Sequence, residues 1–517
     1  MNPKHQMLRS SIVVGFFNLL GGLSGILVDT SIAANLGLSK NSDAFYVAYT
    51  IPYIITNLLA ATGQFSLVPF FASLESGHDE KEVWRGFSYV VNVLFAGLGS
   101  IAVACAVASP WVIRGIAPGF TRPQLELATQ ISRWLFLIIV PAGVAEVLRS
   151  FLFSRHYFAL STATGFIRNV AVILFILLGF HRYGPYSIVL GYMVGYLLQL
   201  LALGFQILVC FPARYSLTLT ASGESFRNLR GAGTAQVAGA LAWQGVVVVE
   251  RIIASFLPAG TLTALNYGYK ILGTLAELLG GSVGTAALPA LSRAVAAKNH
   301  EEQRRTFRDT LELSLLFLSP MAVFCLMLDH NIIRLVFERG KFTPEATELL
   351  AMIFFYYSLS LLPFAFLRLL NFCLFARREP GVYFRLSLFH YSSVLIFDLF
   401  YVGVLRMGPK GIPLGFLTGS LIACGLTIQR NLGDLDTTLD RVLGRFAAKD
   451  VAAALLAALS VWGLRAWVAP PSTASQDFVY LCVLCGVGSV VYFAVLAALR
   501  ALPVTQLALL WPRGNGS

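Results

Sequence analysis

Apolar runs of twenty or more residues follow one another almost from end to end of this chain, and they constrain its fold more than any other feature. A helix needs about 20 apolar residues to cross a hydrocarbon core of ~30 Å, and in lipid it must satisfy its backbone polar groups internally. Composition agrees: 57% of the 517 residues are hydrophobic and 12% are charged, against roughly half and a quarter in water-soluble domains. Fourteen spans are expected, at 10–37, 43–74, 84–113, 126–154, 157–181, 184–210, 231–257, 261–295, 308–328, 345–376, 381–405, 410–430, 448–468 and 477–500. The expected class is an all-α polytopic membrane protein. The first span follows a short basic segment (Lys4, Arg9), is too long for a signal-peptide core and lacks a small-x-small cleavage site, so it is expected to stay attached.

Lys and Arg in short loops set orientation. With the N-terminus cytoplasmic, Arg155, Arg214/Arg227/Arg230, Arg293/Lys298/Arg304/Arg305, Arg377/Arg378 and Arg430/Arg441/Arg445 fall inside, and an even span count returns the C-terminus inside. Arg114, Arg122, Arg334, Arg339 and Lys341 run against that bias. The net charge of +12 is thus read as topological and not as a sign of a nucleic-acid partner. Of the seven cysteines, only Cys482 and Cys485 form a C-x-x-C, in an apolar span without nearby His or carboxylate, where they read as packing residues. No metal-ligand spacing, nucleotide-binding loop or hydrolase motif is present, so no cofactor, metal or catalytic centre is expected.

The sequence repeats itself at an offset of 220. Ile32 meets Ile252, Ala34 meets Ala254, Ala44 meets Ala264, Tyr49 meets Tyr269, Pro69 meets Pro289 and Ile113-Arg114 meets Ile333-Arg334. After a slip of two, Phe120-Thr121 meets Phe342-Thr343 and Glu126-Leu127 meets Glu348-Leu349. Six spans per repeat, an even number, make the halves parallel repeats about an axis along the membrane normal. The expected organisation is a six-helix lobe at 1–210, a cytoplasmic linker at 211–230, a second six-helix lobe at 231–430, a linker at 431–447 with Asp434, Asp436 and Asp440, and an extra helix pair with tail at 448–517. Cargo is expected in the cleft between lobes.

Ionisable residues at mid-membrane are costly, at least ~2.5–3.5 kcal/mol on insertion scales, and so face a partner or a watery cavity. Those expected there are Asp29, Arg168, Glu250, Arg251, Lys270, Glu277, Arg368 and Asp398. Arg133, Glu146 and Arg149 lie nearer span ends, and Glu146 with Arg149 reads as an i,i+3 ion pair. Thr50, Asn57 and Gln64, seven apart, stack on one helix face, and their repeat partners are Lys270, Glu277 and Gly284. The same face is therefore polar in both halves, which suits helices bordering one cleft; the alternative is that Lys270 and Glu277 satisfy each other or neighbouring helices. Glu250 and Arg251 point about 100° apart, so one anchors the helix while the other faces cargo. Asp29 lies one position from the repeat partner of Glu250. Two roles are open for it: binding a coupling cation or proton, and neutralising a cleft arginine. Aromatic residues are read as packing or lipid-facing.

Asp43-Ala44-Phe45-Tyr46-Val47-Ala48 with Pro52, Phe65-Ser66 and Val68-Pro69 resembles the second helix of the MurJ/MviN lipid II flippases of the MOP exporter superfamily. Pro110-Trp111-Val112-Ile113, Ala117-Pro118-Gly119-Phe120, Ala254-Ser255-Phe256-Leu257, Ala264-Leu265-Asn266-Tyr267, Leu288-Pro289-Ala290-Leu291-Ser292 and Gly340-Lys341-Phe342-Thr343 extend the resemblance, in order, over about three hundred residues. It implies a V-shaped pair of lobes, a cationic cavity for a pyrophosphate-sugar head, and a groove from the last two helices for a polyprenyl tail. The implied activity is outward flipping of an undecaprenyl-pyrophosphate glycan across a bacterial inner membrane by alternating access, for cell-wall biogenesis. Coupling to membrane potential, Na⁺ or H⁺ is implied, as is a monomer in contact with membrane lipids.

Asp29, Asp43 and Lys270 match acid, acid and cationic positions of that family. Its first-helix arginines fall on Gly22 and Val28, its second-helix arginine pair on Thr56-Asn57, and a later acid on Gly273. A diphosphate needs donors to replace its water, so the cations left for it are Lys270, Arg251, Arg168 and Arg368. Lipid II and an exopolysaccharide or O-antigen repeat unit are the rival cargoes; a cation-coupled small-molecule exporter and a transport-inactive scaffold are the other classes.

Overall fold

The computed structural model describes residues 3–77, 79–212, 214–219, 234–377, 379–433, 439–468 and 474–502. Arg227, Arg230, Arg378, Asp434 and Asp436, used above for topology and linkers, lie outside the described residues. Every regular element among the described residues is helical, and the chain divides into two compact units.

Unit 1, residues 1–263 with 339–342, holds ten α-helices. They are α1 Pro3–Leu36, α2 Lys40–Thr62, α3 Val68–Gly77, α4 Glu80–Val107, α5 Ser109–Ile116, α6 Arg122–Leu135, α7 Ile139–Ser154, α8 Ala159–Tyr183, α9 Tyr186–Cys210 and α10 Thr234–Ala254. A π turn, Gly63–Leu67, joins α2 to α3. The centre of α3, α4 and α7 is an aromatic core of Phe71, Trp84, Phe87 and Phe151. Next to it, Arg155 binds Glu75 at 2.9 Å and Glu80 at 3.1 Å, its guanidinium lying over the Phe151 and Phe211 rings. Helix α10, expected to open the second lobe, groups with unit 1, where it packs on α2 and α5.

Unit 2, residues 264–338 with 343–517, begins inside α11 Thr261–Ala276 and continues with α12 Ser282–Ala296, α13 His300–Met327, α14 Asp329–Phe337, α15 Pro344–Leu359, α16 Leu361–Ala376, α17 Pro380–Asp398, α18 Gly411–Gly433, α19 Leu439–Trp467 and α20 Ala474–Ala498. A second π turn, Glu277–Gly281, joins α11 to α12. The final pair is locked to α13 by a buried carboxylate: Asp450 accepts from Ser319 Oγ at 2.6 Å and from the Tyr492 hydroxyl at 2.5 Å, among Leu316, Ala453 and Ala457.

Among the described residues, twelve helices are long and apolar enough to cross a membrane, thirteen when α15 and α16, bent by 47°, count as one span. The remaining expected span, 261–295, is helical throughout, but it is the stretch that carries Lys270 and Glu277 in place of an unbroken apolar run. The span expected at 84–113 ends at Val107, and Ser109-Pro110 starts the separate short helix α5. Proline suits the first turn of a helix and not its interior.

The repeat is also written in hydrogen bonds within unit 1. The Lys341 N–H donates to the Ala34 carbonyl at 2.7 Å, and the Gly119 N–H, two residues out of the 220 register with Lys341, donates to Ser255 Oγ at 3.0 Å. Gly340 sits at φ +62°, where a Cβ would stand 2.2 Å from the Ala34 carbonyl oxygen, so no other residue fits. Asp43 accepts from the N–H of Gly260 at 2.6 Å and from the N–H and hydroxyl of Thr263, its own repeat partner, at 2.9 and 2.7 Å. Buried at 3% exposure, that carboxylate satisfies donors at the start of α11.

Candidate functional site

The candidate residues fall into two sets. Asp29, Asn57, Arg168, Glu250 and Arg251 are in unit 1; Lys270, Glu277 and Arg368 are in unit 2.

In unit 1, Asp29 is 3% exposed on α1 and accepts a hydrogen bond from the Tyr46 hydroxyl at 3.0 Å. One turn along α2, Thr50 donates back to the Tyr46 carbonyl at 2.8 Å, and Asn57 donates to the Tyr53 carbonyl at 2.8 Å. Both polar groups of that face thus spend a donor on their own helix. Arg168 on α8 is held from three sides. Its guanidinium lies over the Tyr196 ring at 4.9 Å, and Nε and Nη2 donate to Asn169 Oδ1 at 3.4 and 3.3 Å. Gly195 backs its stem: a Cβ there would come within 2.9 Å of Arg168 Cγ. Asn169 in turn donates to the Gly21 carbonyl at 3.1 Å and to Ser24 Oγ at 2.9 Å on α1. The outcome is a cation of fixed orientation at the level of residues 21–24, ready to donate to an anion without first losing rotamer freedom. Arg251 donates to the Leu262 carbonyl at 3.3 Å.

In unit 2, Glu277 forms an ion pair with Arg368 of α16. The carboxylate therefore turns to a neighbouring helix, the second of the two alternatives left open for it. Lys270 lies two turns before Glu277 on the same face of α11. Tyr269 beside it packs edge-on against Tyr357 and Phe416. Asp398 is fully buried on α17 against α18, where a Cβ on Gly415 would stand 2.0 Å from its Oδ1. Nearer the ends of spans, Glu146 and Arg149 pair at 2.6 Å as their spacing predicts, and Arg133 donates to Ser109 Oγ at 3.3 Å.

Sequence reasoning assigned aromatic residues to packing and so missed a strip of tyrosines around Arg168. Tyr49 and Tyr53 on α2 and Tyr192 and Tyr196 on α9 adjoin one another at ring separations of 4.9–6.5 Å, and Tyr53 is 38% exposed. Their i,i+4 spacing on two helices was the available signal.

A family model described as lipid II flippase MurJ matches residues 32–480. The chain belongs to the MurJ lipid II flippase family. MurJ proteins are transporters and not enzymes, and this chain is accordingly a multi-span membrane transporter of that family. Among its relatives, a probable lipid II flippase MurJ of Rhizobium meliloti is 26% identical over 515 residues, 95% of this chain and 93% of the relative. The lipid II flippase MurJ of Burkholderia cenocepacia is 25% identical over 437 residues, 80% of this chain and 82% of the relative. In fold, the chain is similar to a solved MurJ in an inward closed conformation, with a TM-score of 0.79 at 19% identity over 95% of this chain and 99% of that one. It is also similar to an inward-facing MATE-family multidrug transporter of the MOP superfamily, with a TM-score of 0.71 at 13% identity over 83% and 96% of the two chains. The expected MOP fold and the MurJ resemblance are both borne out.

Proposed function

We propose that this chain flips an undecaprenyl-pyrophosphate-linked glycan of the lipid II type from the inner to the outer leaflet of a bacterial inner membrane, by alternating access, for peptidoglycan biogenesis. The observation that carries this reading is the match of the MurJ family model to residues 32–480, nearly the whole membrane-spanning part of the chain. The site chemistry supports it. A diphosphate leaving water needs charge-assisted donors, and Arg168 in unit 1 with Lys270 and Arg368 in unit 2 supplies them on polar helix faces. Arg168 has the fixed geometry of a phosphate ligand, and Lys270 acts as the point charge. The lobes border the central cleft, the last two helices hold the polyprenyl tail, and both termini are cytoplasmic. The transporter works as a monomer, coupled to membrane potential, Na⁺ or H⁺, with Asp29 as the group that binds the coupling ion. The likeness to MATE transporters is one of fold and favours no exporter reading.

The test is depletion of the host's own lipid II flippase in cells that express this chain. Sustained growth is expected. Lysis by a normally inserted protein, together with restored polysaccharide export in a repeat-unit flippase mutant, would assign the other cargo.

A further inference from the structure

We propose that residues 214–219 form a lipid-facing arm, held along α4 inside the leaflet at which α4 begins, with the acyl chains of that leaflet as its partner. After α9 ends, this segment runs without helical structure against α4. The Ser216 N–H donates to Ser88 Oγ at 3.1 Å. Asn92 Nδ2 donates to the carbonyls of Ser216 and Thr218 at 3.1 and 3.0 Å, and the Tyr215 hydroxyl donates to Asn92 Oδ1. The Thr218 N–H donates to the Ser216 carbonyl at 3.0 Å. Ser88 is thereby fully buried and Asn92 is 8% exposed. Arg214 stands exposed at the start of the segment, and beyond it the large open side chains are apolar: Leu217 is 91% exposed and Leu219 69%.

The sequence of α4 places this ladder in depth. Glu80, Lys81, Glu82 and Arg85 occupy its first turns, and residues 86–107 carry no charge. Ser88 lies three residues past Arg85 and Asn92 one turn further, about 6 Å deeper at ~1.5 Å per residue. The helix face continues at Phe95, 59% exposed, a residue that a spanning helix shows to lipid. The arm therefore covers the polar start of a stripe whose remainder is lipid-facing. Extended backbone in lipid is excluded unless protein satisfies its polar groups, and an amide on a lipid-facing helix carries the same liability. Here Ser88 and Asn92 take up the N–H and carbonyl of Ser216 and the carbonyl of Thr218, and the arm in turn covers both side chains. Tyr215 spends its hydroxyl on Asn92, and the two nearly bare leucines, set beside an uncharged helix face that continues at Phe95, fit a surface met by acyl chains.

The test uses the full chain with its seven cysteines replaced, labelled with bimane at Leu217→Cys, Lys81→Cys or Phe95→Cys, and reconstituted in phosphatidylcholine–phosphatidylglycerol vesicles. The label at 217 is expected to be quenched by shallow doxyl lipids as strongly as the label at 95, and to escape aqueous iodide, which quenches the label at 81. Iodide quenching at 217 equal to that at 81 would overturn the arm. Protection from both quenchers would mean a protein occupant and overturn it too. In the Ser88→Ala/Asn92→Ala variant, with the label at 95 still doxyl-quenched as the sign of an intact helix, the label at 217 is expected to lose doxyl quenching and gain iodide quenching. Unchanged quenching in that variant would overturn the ladder as what holds the arm.

Discussion

In unit 1 the stretch Lys40–Gly77 runs as α2, a π turn and α3; in unit 2 its repeat partner, Thr261–Ala296, runs as α11, a π turn and α12, with Pro69 and Pro289 in register. On the shared polar face, the first stretch has Thr50 and Asn57, whose donors go to their own backbone, and the second has Lys270 and Glu277, with Glu277 paired to Arg368. One backbone plan has thus been kept twice while its charge was placed once. The cation of unit 1 has a different origin: Arg168, on α8 and not on the repeated helix, is fixed by Tyr196 and Asn169. Duplication preserves what packing demands: the π turns and the in-register prolines recur, while the residues of the polar face do not.

The comparison breaks first at Lys270. Lys270→Ala is expected to lower flipping by about 10- to 100-fold, the loss of one charge-assisted contact of ~1.5–3 kcal/mol, with normal membrane insertion on a blot; full activity would remove Lys270 from the site. Asn57→Arg would give this face of unit 1 a cation of its own, and a rise in inorganic pyrophosphate affinity of up to ~10-fold is expected from one added contact, read by protection of a tryptophan or bimane signal; unchanged affinity would show that this face does not meet the anion. The Glu277–Arg368 pair is more exposed, at 55% and 36% for its side chains, so a double-mutant cycle with Glu277→Gln and Arg368→Gln should give a coupling of no more than ~1 kcal/mol in thermal unfolding.

The smallest effect concerns the short helices that follow in each half. Ser109 opens α5 fully buried and neutral, while its repeat partner Asp329 opens α14 with its carboxyl raised above the usual range, chiefly by burial. A raised folded-state value means that stability is lost as pH climbs from the ordinary carboxylate range of about 4 through the folded value. Asp329→Asn should therefore raise the melting temperature at neutral pH and leave it unchanged where the acid is already protonated. An equal shift at both pH values would point to packing and not to charge.

Spans, the repeat and the polar face were legible because each is periodic: 3.6 residues per turn, about 20 residues per crossing, 220 per half. Glu146–Arg149 was legible because its partners share one helix turn. Glu277–Arg368 was not, since 91 residues separate them and only packing of α16 brings them together. The same holds for Asn169, whose partners on α1 are 145 and 148 residues away, and for Asn92, whose partners after α9 are 124 and 126 residues away. The break between α4 and α5 was signalled by Ser109-Pro110 but hidden by the apolar residues on both sides.

The measurement that bears most directly on the central claim is flipping of fluorescent lipid II in proteoliposomes by purified wild-type chain, Lys270→Ala and Arg168→Ala, each with its orientation and content checked. The account predicts transbilayer movement by the wild type, a large loss with either variant, and competition by undecaprenyl pyrophosphate in place of lipid II. Wild-type movement of lipid II no faster than in protein-free vesicles, or equal movement by all three proteins, would contradict it.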